Sequence, residues 1–144
     1  MSSDDRHDLA NRQAALVADL AAGAVPAGVA PREAARAHDT LAQKRRREAF
    51  LAAPRLAEAL GEQFAAEFDR YAGQVPYPGP GGPVADAAGF GAYLDRQNRL
   101  PATAAYENLL LSIQTRGRAR LRTIGGRFYF ALRVRKRVFV LRFI

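Results

Sequence analysis

The side chains that most often carry chemistry are few in this sequence and poorly spaced for it. His7 and His38 are the two histidines, one in a polar N-terminal stretch and one inside a helical pattern. Neither has the paired spacing of a zinc-binding helix. Asp4, Asp5, His7 and Asp8 could chelate a metal by composition, but a run of this kind reads as a solvated tail. Ser2, Ser3 and Ser112 sit in no nucleophile motif, and the absence of cysteine excludes disulfides, thiolate metal sites and thiol catalysis. The Gly79–Pro83 loop lacks the lysine and helix entry of a phosphate loop. No active site is read here, and no metal or cofactor is expected in this chain.

Arginine is the residue type whose spacing speaks. Residues 1–114 hold twelve Lys/Arg against fourteen Asp/Glu, whereas residues 115–144 hold nine Arg, one Lys and no acid. The last thirty residues therefore carry +10 and the rest −2 of the net +8, a segregation that points to an anionic partner or surface. Arg116, Arg118, Arg120 and Arg122 alternate with Gly117, Ala119, Leu121 and Thr123, the period-two pattern of a strand. Gly125-Gly126 suits a two-residue hairpin turn, since both positions of a type I′ turn need positive φ. Pairing across it sets Thr123 against Phe128, Leu121 against Phe130 and Ala119 against Leu132.

A second reversal near Arg135-Lys136, through a turn of two or four residues, brings back Val138 to Ile144, with Phe143, Leu141 and Phe139 opposite Phe128, Phe130 and Leu132. All three strands then agree on one apolar face, which is expected to pack on the helices. The other face carries Arg118, Arg120, Arg122, Tyr129, Arg133, Val138, Val140, Arg142 and Ile144, the candidate peptide- and partner-binding residues. The third strand is apolar on both faces, so a partner should cover it.

The elements that must position this sheet are helical. Residues 8–22 carry Leu9, Gln13, Leu16, Val17 and Leu20 on one helical face, after a tail at 1–7. A second helix runs from Pro31 to about Ala53. Leu56, Leu60, Phe64, Phe68 and Tyr71 make a core stripe through 55–72, which Gly61 divides. Residues 73–83 are Pro/Gly-rich and form a long loop of unassigned role. Helices follow over 85–98, with Phe90, Tyr93, Leu94 and Gln97 inward, and from Pro101, with Ala105, Tyr106, Leu109, Leu110 and Ile113 inward. Lys44, Arg45, Arg46 and Arg47 sweep about 300° around the second helix. At least one of them must approach the body or a partner, and they are the weaker candidates for docking a partner. An ion pair to an internal acid competes with that reading.

The ordered series Gln13…Leu16…Leu20, Pro26-x-Gly28, Lys44-Arg45, Pro54-x-Leu56…Leu60-Gly61…Phe64…Phe68, Phe90-x-x-Tyr93-Leu94 and Leu100-Pro101 with Glu107 resembles the HvfC/BufC-type, MbnC-related partner-protein family. The Arg-x-Arg-x-Arg strand and apolar hairpin are similar to the β-tail of its actinobacterial members. The resemblance implies a non-catalytic accessory subunit of a multinuclear non-haem iron enzyme of the MbnB/TglH type. The iron would sit in that enzyme. The chain would help hold the leader of a ribosomally made precursor peptide by strand addition to the C-terminal sheet; the basic face fits an acidic leader, and of the two edges, both open to it, the third strand suits the addition.

The expected fold is α+β: a helical body of five to six helices over 8–114, then a three-stranded antiparallel meander over 115–144. The N-terminus is polar and acidic, without the pattern of a signal peptide, and no apolar run is long enough for a membrane span. The expectation is a cytoplasmic, heterodimeric partner protein that binds no membrane. A nucleic-acid-binding module is the alternative. Against it, the reading turns Phe128 and Phe130 toward the core and leaves Tyr129 alone to stack on bases.

Overall fold

The structure, a computed structural model, describes residues 3–21, 23–79, 81–135 and 137–143. Residues 1–45 and 46–144 form two compact units, and the division falls inside the second helix. The expected sheet module at 115–144 lies within the second unit, where the last helix and the sheet share the buried side chains Leu109, Ile113 and Ala131.

In the first unit, helix α1 spans Ser3–Ala21 and so begins inside the expected tail. Gly23 ends it with φ +76°, a conformation a Cβ would resist. The Gly23 and Ala24 amides donate back to the Leu20 and Asp19 carbonyls at 3.1 and 2.9 Å. Helix α2 spans Pro31–Ala52, with proline in the first turn, where its missing donor costs nothing. The His38 ring, through Nδ1, lies 2.9 Å from the Leu20 carbonyl and ties α2 to the end of α1. Leu9, Leu16 and Val17 share the expected face of α1 but stand exposed. Besides Leu41, the apolar residues of the α2 segment in this unit after Pro31 are alanines, at 34, 35, 37 and 42.

In the second unit, Pro54 stops α2 and opens α3 (Pro54–Leu60); Gly61, at φ +51°, then separates α3 from α4 (Gln63–Ala72). Helix α5 covers Gly82–Arg96. It starts three residues earlier than its spacing predicts because Pro83 fits a first turn. It also ends sooner, so Gln97 is a cap residue exposed to solvent. A short 3₁₀ turn, Ala102–Ala104, leads into α6, Ala105–Arg116. Strands β1 (Ala119–Ile124), β2 (Arg127–Val134) and β3 (Arg137–Phe143) complete the chain. Among the described residues no helix is long and apolar enough to cross a membrane.

The core stripe behaves as its spacing requires. Phe64, Phe68, Tyr71 and Phe90 are buried with ring centroids 5.2 to 5.9 Å apart, mostly edge to face, the geometry that the ring quadrupole favours. The Tyr71 hydroxyl donates to the buried Asp86 carboxylate at 3.0 Å. Helix α3 has no side-chain cap of its own, and Glu107 of α6 takes that place. Its two carboxylate oxygens accept from the Arg55 and Leu56 amides at 3.1 and 2.9 Å. A carboxylate at a helix N-terminus satisfies orphan donors and meets the positive end of the dipole.

Glu67 is buried between Arg99 and Arg70, with Arg70 Nη1 at 2.6 Å. The hydrogen bond from Arg99 holds its carboxyl below the ordinary glutamate range; burial opposes this, and the charges of Arg70 and Arg99 assist. A depressed folded-state pKa contributes stability above the ordinary glutamate value and loses it as pH falls through the folded value. The gap in urea stability between the wild type and Glu67→Gln should therefore be widest at neutral pH and shrink as pH falls below the ordinary glutamate range. A gap independent of pH would contradict this. Helices α5 and α6 touch where Gly91 meets Asn108, so a Cβ on Gly91 would stand 2.1 Å from Asn108 Oδ1, a buried side chain. Gly91→Ala gains about 1 kcal/mol of helix propensity but should lose about 1–3 kcal/mol to the overlap, giving a lower urea midpoint.

Candidate interaction face on the C-terminal sheet

Strand order is β1-β2-β3, antiparallel throughout. Gly125 and Gly126 both have positive φ, +56° and +77°, as the turn type demands. The register is the one the alternation predicts. Ala119, Leu121 and Thr123 stand opposite Leu132, Phe130 and Phe128; Phe139, Leu141 and Phe143 stand opposite the same three. The Arg133 amide donates to the Arg118 carbonyl at 2.6 Å and extends the first ladder. The second turn is two residues long, since Val134 pairs with Arg137. Lys136 lies outside the described residues.

Which face turns inward is the reverse of the expectation. The side chains that pack with Leu109 and Ile113 of α6 are Ala131, fully buried, and Ile124, Tyr129, Val138 and Val140, partly buried. Leu121 is 66% exposed, Leu141 56%, and Phe128, Phe139 and Phe143 each 51%. Phe130 and Leu132 share that outer face and are half-buried.

The reason lies in position along the strands. On the inner face Arg120 and Arg122 line the β1 edge of the sheet, opposite Ala131 and Tyr129, and Arg127, Arg133 and Arg142 lie at or next to the ends of β2 and β3, around an apolar centre at 129, 131, 138 and 140. Ala131, at that centre, is small enough for a helix to seat on. Long arginine stems reach past a helix with their charged heads in water or on an acceptor. Arg122 pairs with Asp95 of α5, and Arg133 donates to the Gln114 carbonyl at the end of α6. Counting charges per face misjudged a face whose charges all lie at its rim.

The candidate residues fall into three groups. Arg118, Arg120 and Arg142 are exposed around the inner-face rim. Arg122, Arg133, Tyr129, Val138 and Val140 are engaged by the helices, Tyr129 lying 5.7 Å from the Tyr106 ring. Ile144 lies outside the described residues. On α2, Arg46 pairs with Asp69 at 2.7 Å, the ion pair that competes with a docking role, and Arg47 is exposed. Lys44 and Arg45 belong to the first unit.

The outer residues Leu121, Phe128, Phe139, Leu141 and Phe143 were missed as an interaction surface. The available signal was the third strand, apolar on both faces, which no single helix layer can cover. Contiguous apolar surface of this kind marks an interaction site. Strand β3 is also an edge of the sheet, so its outer backbone groups can take up a further strand. Among the described residues no group of three or more His, Asp or Glu is gathered as a metal site would need.

A family model described as SCO6045-like, C-terminal domain, matches residues 10–96, more than half of the chain. The matched span runs from α1 to the end of α5; α6 and the sheet lie beyond it. No curated protein and no solved structure matches the chain.

Arg135, in the second turn, has φ +56°, a region that costs an L-residue roughly 1–2 kcal/mol. Arg135→Gly removes that strain and should raise unfolding stability by about 0.5–1 kcal/mol, after the entropy glycine adds to the unfolded chain. A lower urea midpoint would contradict the turn geometry.

Proposed function

This chain belongs to the SCO6045-like C-terminal domain family, and we propose that it serves as a non-catalytic accessory subunit that binds other polypeptides through its C-terminal sheet. The observation that carries the reading is the outward apolar face beside the open edge of β3, five large side chains at least half exposed. Resemblance to HvfC/BufC-type proteins supplies the partners: a multinuclear non-haem iron enzyme of the MbnB/TglH type and the acidic leader of its precursor peptide, all cytoplasmic. The iron and the oxidative chemistry belong to the enzyme.

Strand addition on β3 gives the leader sequence-independent affinity through main-chain hydrogen bonds. Arg142 on β3 and Arg120 on β1, both exposed and without a nearby acid in sequence, steer carboxylates toward the sheet. Steering of this kind raises the association rate more than the final affinity.

A nucleic-acid-binding reading gains from the sheet's orientation. Phe128, Phe139 and Phe143 are outward, where bases could stack. It requires bound nucleic acid after purification and affinity that falls steeply with salt.

The test is co-expression with the enzyme subunit encoded beside this chain. A heterodimer on gel filtration is expected, with leader affinity falling several-fold, mainly in association rate, on charge reversal at Arg120 and Arg142. Elution as separate proteins contradicts the pairing, and unchanged leader binding contradicts the role of the rim.

A further inference from the structure

We propose that the outer face of the sheet is the contact between two copies of this chain, packed face to face about a two-fold axis parallel to β2. The inference goes beyond the accessory reading and concerns the chain on its own. It leaves the β3 edge open to strand addition, and a partner that binds the same face does so by displacing the second copy.

Charge comes first. By register the arginines at 120, 122, 127, 133 and 142 project from the opposite face of the sheet. Among the described strand residues Arg137 is the only charged side chain on the outer face, at its second-turn end, and Thr123 the only other polar one. The basic character of the segment therefore points away from this surface. An acidic partner would find one cation on it, whereas an apolar counterpart meets it over nearly its whole extent.

The area is enough for a dimer. Leu121, Phe128, Val134, Phe139, Leu141 and Phe143 are between 49% and 66% exposed. At about 200 Å² for a large side chain they present roughly 600 Å². Two copies then bury roughly 1,200 Å², the lower end of specific interfaces.

The relief of the face selects the second copy and the axis. Ala119 and Thr123 on β1 are small, and Phe139 and Phe143, in the same two rows on β3, are large. Rotation by 180° about β2 lays each β3 over the partner's β1. Phe139 then meets Ala119, Phe143 meets Thr123 and Leu141 meets Leu121, so the layer stays even at about the 10 Å of packed sheets. An axis across the strands would stack phenylalanine on phenylalanine along one side and leave a gap along the other. The axis along β2 also sets each Arg137 over the partner's Gly117, which continues β1 in that row. The two Arg137 residues are then roughly 14 Å apart, beyond the screening length of about 8 Å at physiological salt.

The experiment is sedimentation equilibrium of the full chain alone across the micromolar range, with crosslinking of introduced cysteines, since the sequence has none. A reversible equilibrium is expected, reaching twice the chain mass at the upper end. Leu141→Glu and Phe139→Glu, at exposed positions, should each weaken it by about 100-fold, because a substitution enters a two-fold interface twice. Thermal unfolding of the dilute protein should be unchanged by either. Arg127→Glu, on the opposite face, should leave the equilibrium within about threefold. A short bismaleimide should join Leu121→Cys to Leu141→Cys in a mixture of the two variants faster than it joins either variant to itself.

Wild type that stays monomeric throughout that range overturns the proposal, and so does a dimer indifferent to Leu141→Glu. Faster joining of Leu141→Cys to itself than to Leu121→Cys overturns the packing about β2. A monomer that binds oligothymidylate, with the affinity lost in Phe139→Glu, assigns the face to nucleic acid and also overturns the proposal. Pairing with an enzyme is measured separately, and none of these outcomes decides it.

Discussion

The seating of Ala131 on Leu109 and Ile113 is the contact on which the rest of the sheet's arrangement depends. A three-stranded meander cannot bury both faces against one helix layer, so one must turn to solvent. The choice is made by shape at the centre. An alanine flanked by Tyr129, Val138 and Val140 lets a helix come close, while the phenylalanines and leucines of the other face would hold it away. Once α6 occupies the inner face, the arginines at its rim find acceptors on α5 and at the end of α6, and the bulkier apolar face is left outward.

Helix boundaries and strand register were legible because each rests on local rules. Proline at 31 and 54, glycine at 23 and 61, and the Gly125-Gly126 turn punctuate the chain where backbone chemistry requires it. The aromatic stripe from Leu56 to Tyr71 could be assigned to the core by its period alone. Period two fixes which residues share a face, but it does not say which face meets the helices. That depends on where along each strand the charges fall and on one small residue at the centre, a three-dimensional property. By pattern alone Tyr129, Val138 and Val140 read as surface for this reason, and Leu121 and Leu141 as core.

Two further side chains had roles that period and charge do not reveal. Glu107 caps a helix that begins about fifty residues earlier in the chain, and no pattern local to either element announces it. Arg46 stands in a run of four basic residues, yet only the packing of α4 beside α2 shows that its partner is Asp69. In both cases an ionised group serves the fold where the sequence pattern alone suggested a surface or left the role blank.

The absence of cysteine allows the sheet's orientation to be read by single introduced thiols. With Leu141→Cys and Ala131→Cys compared under native conditions, in solution dilute enough to hold single copies, the account predicts that the thiol at 141 reacts with a small disulfide reagent nearly as fast as in unfolded chain. The thiol at 131 should react only at the rate at which the protein opens. Fast labelling at 131 with protection at 141 would mean that the opposite face lies against α6, and would contradict the account.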